Sequence, residues 1–321
     1  MLIHLIAPEI AGEFDSWVHR YEKTFSITKK KGNRYITIPL STTYRNLDEL
    51  SQRISPVTFR VKRDQNIDVE DRIEIVVTDM TEKQRRLYSE ALEEARLWVS
   101  SQKSLNIQAA LQRTLRCLQI GEGLFNLDYS LSDSGKLEFL EEELSQAEDK
   151  IAVWARFKPI TNKLYERFKT KAVLLTGDVS DSLRELGKWA FQGCKNDFET
   201  EQFYKLRERY PDFKFEPGEA QFSLGTMDVR SSLGVDLSKA TRQFVTSFHY
   251  NGNVMMQALA RIITIEGAHD TLTTFLVANE KEKKALRLII RNYQTTLEIL
   301  DGKKDRTHSK MQDLLRILLE T

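Results

Sequence analysis

Residues 150–177 read KIAVWARFKPITNKLYERFKTKAVLLTG. An apolar run, KIAVWARF, is followed by a helical segment, ITNKLYERFKT, and then by a second apolar run, KAVLLTG. Strand, helix, strand is the repeating unit of a parallel sheet, because parallel neighbours need a crossover and a helix of this length supplies it. The pattern extends on both sides. SGKLEFLEEELSQA (134–147) reads as an amphipathic helix before it, and DSLRELGKWAFQ (181–192) as a helix after it. Beyond a charged insertion at Asn196–Pro217, AQFSLG and RQFVTSF read as strands, NVMMQALARI as a helix and TTFLVAN as a last strand. Alternation of this kind predicts a parallel α/β sheet covered by helices on both faces.

Upstream, RIEIVVTDM (72–80) is a β-branched run, and Thr81-Glu82-Lys83-Gln84 offers a Thr N-cap with Gln three positions on. A strand and a long helix are expected there. The helix is interrupted near Ser101–Ser104, resumes through LQRTLRCLQI and ends at GEGLFNLDYSLSDSG (121–135), which reads as an exposed loop. Residues 1–64 carry a helix over Gly12–Lys23, the basic tract Lys29-Lys30-Lys31, read as a solvated loop, and a helix near Leu47–Ile54. Three regions result: a mostly helical N-terminal extension (1–70), the α/β lobe (71–280) and a helical C-terminal tail (281–321).

At 321 residues, with 40% hydrophobic and 30% charged side chains, the chain is globular and large enough for one big domain or two lobes. A formal charge of +1 gives no global signal for a polyanion, so a nucleic-acid surface would have to come from local clustering. Cys117 and Cys194 lie far apart without ligand spacing, which argues against a disulfide framework or a zinc site. No apolar run approaches the roughly 20 residues that span a bilayer. The expectation is a soluble protein of the cytoplasm with no membrane partner.

Several phrases of the lobe, in order, resemble the second RecA-like lobe of superfamily-two nucleic-acid motors of the Swi/Snf type. Ser134-Gly135-Lys136-Leu137 with Leu140 looks like the opening helix of that lobe, and Ile151–Phe157 like its motif IV strand. Leu174–Phe191 resembles the family's strand, Gly, Ser, Arg and Phe series, with Gly177, Ser180, Arg184 and Phe191 in place. Gly234-Val235-Asp236-Leu237 with Ala240 resembles the end of motif V, and Gln257–Arg261 the start of motif VI. RVKRD, RIEIVVTDMTEKQRRLY and LQRTLRCLQI resemble the segments that connect the two lobes. The resemblance implies a RecA-like parallel sheet and a protein of a bacterial or phage-infected cell, cytoplasmic or nucleoid-associated.

By the resemblance, Gln257 and Arg261 are the catalytic residues, and Gly234, Asp236, Gln257 and Arg261 face the nucleotide. Arg156, Arg184, Thr226 and Arg230 are the candidate contacts to a DNA phosphate strand, made without regard to sequence, and the basic tract 29–31, if not simply a solvated loop, is a further candidate for that surface. Two departures stand out. Thr264 occupies the place of a second arginine, and Arg230-Ser231-Ser232-Leu233 replaces a small, glycine-rich stretch. A nucleotide motor also needs a phosphate loop, a magnesium site and a positioned water. Neither a GxxxxGK[ST] loop nor a DExH box is present: Gly187-Lys188 runs into Trp189, and Gly121-Glu122-Gly123 lacks the rest.

The expected function is therefore half of an ATP-dependent DNA helicase or translocase. It would be inactive alone and use ATP and Mg²⁺ only with a first lobe, carried upstream or on another polypeptide. The alternative is a non-catalytic module, derived from such a lobe, that binds DNA or a protein. Local alternatives also exist for single residues: Arg184 pairing with Asp181 on its own helix, Asp236 capping a turn, Trp154 and Trp189 as packing residues, and His249 as a satisfied or exposed histidine.

Overall fold

The computed structural model describes residues 14–31, 34–54, 71–101, 107–227, 235–249, 251–262 and 269–301. These fall into two compact units: residues 14–54 together with the last helix from Arg291 onward, and residues 71–290.

In the smaller unit, α1 (Phe14–Tyr21) leads directly into β1 (Glu22–Lys31), which pairs antiparallel with β2 (Arg34–Tyr44), and α2 (Leu47–Ile54) follows. Tyr21, Leu50 and Ile54 form its buried cluster, with Leu47 against them. The N-terminal extension is thus not mostly helical among its described residues, and the basic tract 29–31 is strand rather than loop. Pro39 and a register shift opposite Phe25/Ser26 break the alternation that would have marked the second strand.

The larger unit is built on a six-stranded, all-parallel sheet in the order β3-β8-β7-β4-β6-β5. Its strands are β3 (Asp71–Val77), β4 (Ile151–Ala155), β5 (Ala172–Leu175), β6 (Phe222–Thr226), β7 (Arg242–Val245) and β8 (Thr271–Val277). The helices are α3 (Glu82–Ser101), α4 (Ile107–Glu122), α5 (Gly135–Gln146), α6 (Lys158–Phe168), α7 (Asp181–Gln192), α8 (Asp197–Arg207), α9 (Gly252–Leu259) and the first half of α10 (Glu280–Asp301), which from Arg291 onward belongs to the smaller unit. Helix α8 lies within the charged insertion, where the sequence reading assigned no element. Its N-cap is Asn196, whose side chain accepts the Glu199 N–H at 2.9 Å.

Side chains alternate across a strand, and the two faces can be followed residue by residue. Ile151, Val153, Ala155, Ala172, Phe222, Leu224, Phe244 and Leu276 pack with Leu137, Leu140 and Leu144 of α5 and with Ile160, Leu164 and Phe168 of α6. The opposite face carries Trp154, Val173 and Leu175. Helix α7 lies against it so closely that a Cβ on Gly187 would sit 3.3 Å from Leu175 and 3.4 Å from Val173. Trp154 is buried, as expected of a packing residue; its indole N–H donates to Gln243 at 3.1 Å and its ring fills the space that Gly225 leaves. With both faces covered, all five residues of β4 and of β6 are buried; β4 accordingly reads as a continuous apolar run, while β6 buries Ser223 and Thr226 among its apolar residues.

The Thr81 capping box forms as the sequence predicts: the Gln84 N–H donates to Thr81 Oγ1 and the Thr81 N–H to Gln84 Oε1, each at 3.2 Å. Gln84 also donates to the Ile120 carbonyl at 2.7 Å and so ties α3 to the end of α4. Ser134 caps α5 by accepting the Leu137 N–H at 3.0 Å. Gly135 beside it passes so near the backbone that a Cβ would lie 1.7 Å from the Asp79 carbonyl oxygen. No described helix is long and apolar enough to cross a membrane.

Candidate functional site

The residues singled out by sequence separate into two groups at opposite ends of the sheet. Arg156, Thr226 and Arg184 belong to the carboxyl edge, where ligands of open parallel sheets usually bind. Arg156 follows β4; its backbone N–H donates to Ser247 Oγ at 2.8 Å and its guanidinium lies 5.4 Å from the Phe157 ring centroid. Thr226 ends β6 in register with Ala155 and is buried. Arg184, in the first turn of α7, forms an ion pair with Asp181 of the same turn, the local arrangement its spacing allows. Arg230 lies outside the described residues.

Of the candidates for facing a nucleotide, Asp236 and Arg261 belong to the amino edge. Asp236 precedes β7 and accepts the Ser238 N–H at 3.0 Å, as a turn-capping Asp does, and it pairs with Lys195 at 3.0 Å. Burial pushes its carboxyl up, but the Ser238 N–H and hydroxyl and the Lys195 ammonium outweigh this and hold it below the ordinary aspartate value. Arg261 sits in a short 3₁₀ turn, Ala260–Ile262, at the end of α9. Its carbonyl accepts the Leu237 N–H at 3.0 Å, so the structure brings Arg261 and the Asp236 segment together. The Gln243 amide donates to the Leu259 carbonyl at 3.1 Å and fixes the same helix end to β7.

Within this group the Nε of Arg261 is buried and has no hydrogen-bond partner among the described residues. A guanidinium donor withdrawn from water and left unused is uncommon and calls for an explanation. Gln257 is exposed on α9. Gly234 and Thr264 lie outside the described residues. His249 carries no nucleophile pattern; its Nδ1 accepts the Asn251 N–H at 3.1 Å.

Between β4 and β7 the connections diverge, one strand leading outward to β5 and the other to β8, which makes this the topological switch point. A buried polar cluster that the sequence reading missed stands there. Glu122, placed in an exposed loop by sequence, is fully buried because Leu124 and Phe125 beside it enter the core. Its carboxylate accepts from Ser247 Oγ at 2.5 Å, Thr246 Oγ1 at 3.0 Å and Asn126 Nδ2 at 3.0 Å. Lys136, equally buried, pairs with Glu282 at 2.8 Å and donates to the Thr246 carbonyl at 2.5 Å. A small cavity lined by Leu118, Arg156, Phe157, Ser247, Phe248 and Glu282 adjoins it.

Burial raises the Glu122 carboxyl from 4.5 to about 7, with hydrogen bonds from Ser247, Asn126 and Thr246 and the charge of Lys136 opposing the shift. Between these two values the folded state holds a proton that the unfolded chain has lost, so stability falls as pH rises from about 4.5 to 7 and levels off above. Glu122→Gln is expected to remove that component, which amounts to at most about 1.4 kcal/mol per pH unit. Urea unfolding of both proteins across this range checks it; identical pH slopes for wild type and variant would refute the assignment.

The chain superposes on the Sulfolobus solfataricus SWI2/SNF2 ATPase core in complex with dsDNA with a TM-score of 0.50 and 19% identity, covering 98% of this chain and 62% of that one. The chain thus spans less than two thirds of that ATPase core. The C-terminal domain of the Sulfolobus solfataricus SWI2/SNF2 ATPase aligns at 16% identity over 78% of this chain and 98% of that one, with a TM-score of 0.42. The C-terminal part of the Fun30 ATPase domain aligns at 12% identity over 69% and 89%, with a TM-score of 0.46. No protein-family model and no curated protein matches the sequence.

The six parallel strands between helices form a RecA-like α/β lobe. None of these comparisons bears on a bacterial or phage origin.

Proposed function

We propose that the chain is the second motor lobe of an ATP-dependent DNA helicase or translocase, contributing an arginine to a nucleotide cleft that a first lobe completes. The observation that carries this reading is Arg261: its Nε is buried without a partner among the described residues, on a helix end tied to the Asp236 segment. An anionic phosphoryl oxygen is the acceptor such a donor fits, and a guanidinium so placed neutralises charge that develops during transfer. The amino-edge location fits a half-site, since the residues form one wall rather than an enclosed pocket.

Bound ATP with Mg²⁺ would supply the transferable phosphoryl group. In this reading magnesium is held by the first lobe. The chain's own residues orient and neutralise: Arg261 toward the phosphates, Asp236 and Gln257 beside it. Arg156, Thr226 and Arg184 at the carboxyl edge are the proposed contacts to a DNA phosphate strand, and the double-stranded DNA in the Sulfolobus complex supports that choice of partner.

The test is reconstitution. Mixing this chain with a first lobe that carries GxxxxGK[ST] and DExH motifs should produce DNA-stimulated ATP hydrolysis that neither half shows alone. A mixture without stimulated turnover would count against the motor reading. One observation favours the non-catalytic alternative: Asp236 is already engaged by Lys195. Persistent DNA binding with no turnover in any such mixture would select it.

A further inference from the structure

Strands β4 and β7 stop pairing just before Arg156. Trp154 stands opposite Val245, and the Thr246 N–H donates to the Trp154 carbonyl at 2.9 Å. In a parallel ladder the next bond would run from the Arg156 N–H to the Thr246 carbonyl. That carbonyl accepts instead from Lys136 Nζ at 2.5 Å, and the Arg156 N–H donates to the Ser247 hydroxyl oxygen at 2.8 Å. A side chain thus fixes the backbone of Arg156 where a continued sheet would have used a carbonyl. The adjoining links are fixed as well. The Met227 N–H donates to the Ala155 carbonyl at 2.8 Å on the other side of β4, and α6 begins at Lys158 with Pro159 in its first turn.

Ser247 is itself held. Its single hydroxyl hydrogen goes to the Glu122 carboxylate at 2.5 Å, which leaves a lone pair for the Arg156 N–H. The same carboxylate oxygen accepts from Thr246 Oγ1 at 3.0 Å, and Asn126 Nδ2 donates to the other oxygen at 3.0 Å. Glu122, Thr246 and Lys136 are wholly buried and Ser247 nearly so, whereas Arg156 is partly exposed at the carboxyl edge. Withdrawing such a cluster from water is costly, and ending two strands does not require it, since apolar side chains would do so. Hydrogen bonds are directional where apolar packing is not, so the cluster adds one defined orientation for the residue that leaves the sheet. An arginine side chain is long, and a small turn of its backbone displaces the guanidinium much further.

We propose that Ser247, with its hydroxyl oriented by Glu122, is a positioning residue that presents Arg156 to a DNA phosphate strand. Arg156 as a phosphate contact is taken from the proposed function, on which this inference rests; Ser247 acts through the Arg156 backbone without touching DNA itself.

The test measures fluorescence anisotropy of a labelled DNA duplex with the full chain at pH 8, where Glu122, raised by burial to about 7, is mostly ionised. Wild type, Ser247→Ala, Arg156→Ala and the double variant are compared, with circular dichroism and urea unfolding to verify that each folds. Ser247→Cys, of nearly the same size but with a poor acceptor, takes the place of Ser247→Ala should that variant not fold. Arg156→Ala is expected to make the slope of log affinity against log salt shallower by about 0.9, one phosphate contact, and Ser247→Ala to reproduce part of that change with binding about three- to tenfold weaker. The two losses should not multiply, so the double variant should bind within about twofold of Arg156→Ala alone. A serine that only supports the fold would lower the urea midpoint and leave affinity and salt slope unchanged. That result, with binding weakened in Arg156→Ala, would overturn the proposal and leave Arg156 as a DNA contact. Losses that multiply in the double variant would overturn it too. Wild-type affinity in Arg156→Ala, or no duplex binding by this chain, would remove the DNA contact and this inference together. The nucleotide side of the motor reading is judged separately, by ATP turnover of the two-lobe mixture.

Discussion

Arg261→Ala is expected to lower DNA-stimulated ATP turnover of the reconstituted two-lobe assembly by about 10³-fold or more, the scale on which arginine fingers act in other NTPases. The effect should fall on turnover, with DNA affinity unchanged, because Arg261 sits at the amino edge of the sheet with the Asp236 segment and away from Arg156 and Thr226. Arg261→Lys should recover little: the donor left unused is the Nε of a planar guanidinium, and an ammonium on a flexible stem does not reproduce it. Steady-state ATPase with and without a DNA duplex decides the matter. Turnover of the Ala variant within a few-fold of wild type would mean that this arginine does not face the reacting phosphates, and the non-catalytic reading would then stand.

Lys136→Met should cost about 3–5 kcal/mol of folding stability, the usual consequence of removing one member of a buried ion pair. Lys136 is fully buried, and Glu282 opposite it is almost so. Glu122 lies in the same cluster, so loss of the ammonium leaves two carboxylates out of water with hydroxyl and amide donors but no cation shown between them. Adding Glu282→Gln to Lys136→Met should restore part of the loss, since the remaining group is then neutral. Urea unfolding of the two single variants and the double provides the measurement. A loss below about 1 kcal/mol for Lys136→Met would place this pair with ordinary surface ion pairs.

How legible these features are in the sequence depends on how far apart their partners lie. The strands β4 and β6 can be read directly, because burial on both faces leaves no charged residue within them, and β4 is an apolar run. The Thr81 capping box and the Ser180 cap of α7 are equally visible, each being closed within three residues. Glu122 is not. Its flanking glycines and the polar residues after it suggest a loop, while the groups that stabilise it inside, Thr246 and Ser247, stand 124 and 125 positions away. The pairing of Lys136 with Glu282 is hidden for the same reason, although Lys136 lies in a phrase that sequence reading already singles out.

The hairpin illustrates a different difficulty. Its uncharged shaft is rich in Ser, Thr and Ile, with Pro39 at an irregularity, so neither strict alternation nor an apolar run marks it. Antiparallel pairing between Lys29 and Ile36 reveals what composition alone conceals: a basic tract that looks like a loop is the paired end of a ribbon.

By itself the sequence determined the α/β alternation, the parallel sheet and the order of phrases that resembles a second motor lobe, because apolar periodicity and local caps are properties of contiguous residues. Only the tertiary structure decided that Arg261 meets the Asp236 segment at one edge while Arg156 and Thr226 stand at the other, that Glu122 and Lys136 are buried together, and that lysines 29–31 end a ribbon. Each of these depends on contacts between distant segments, and their energies come from desolvation and pairing in three dimensions, which no local pattern records.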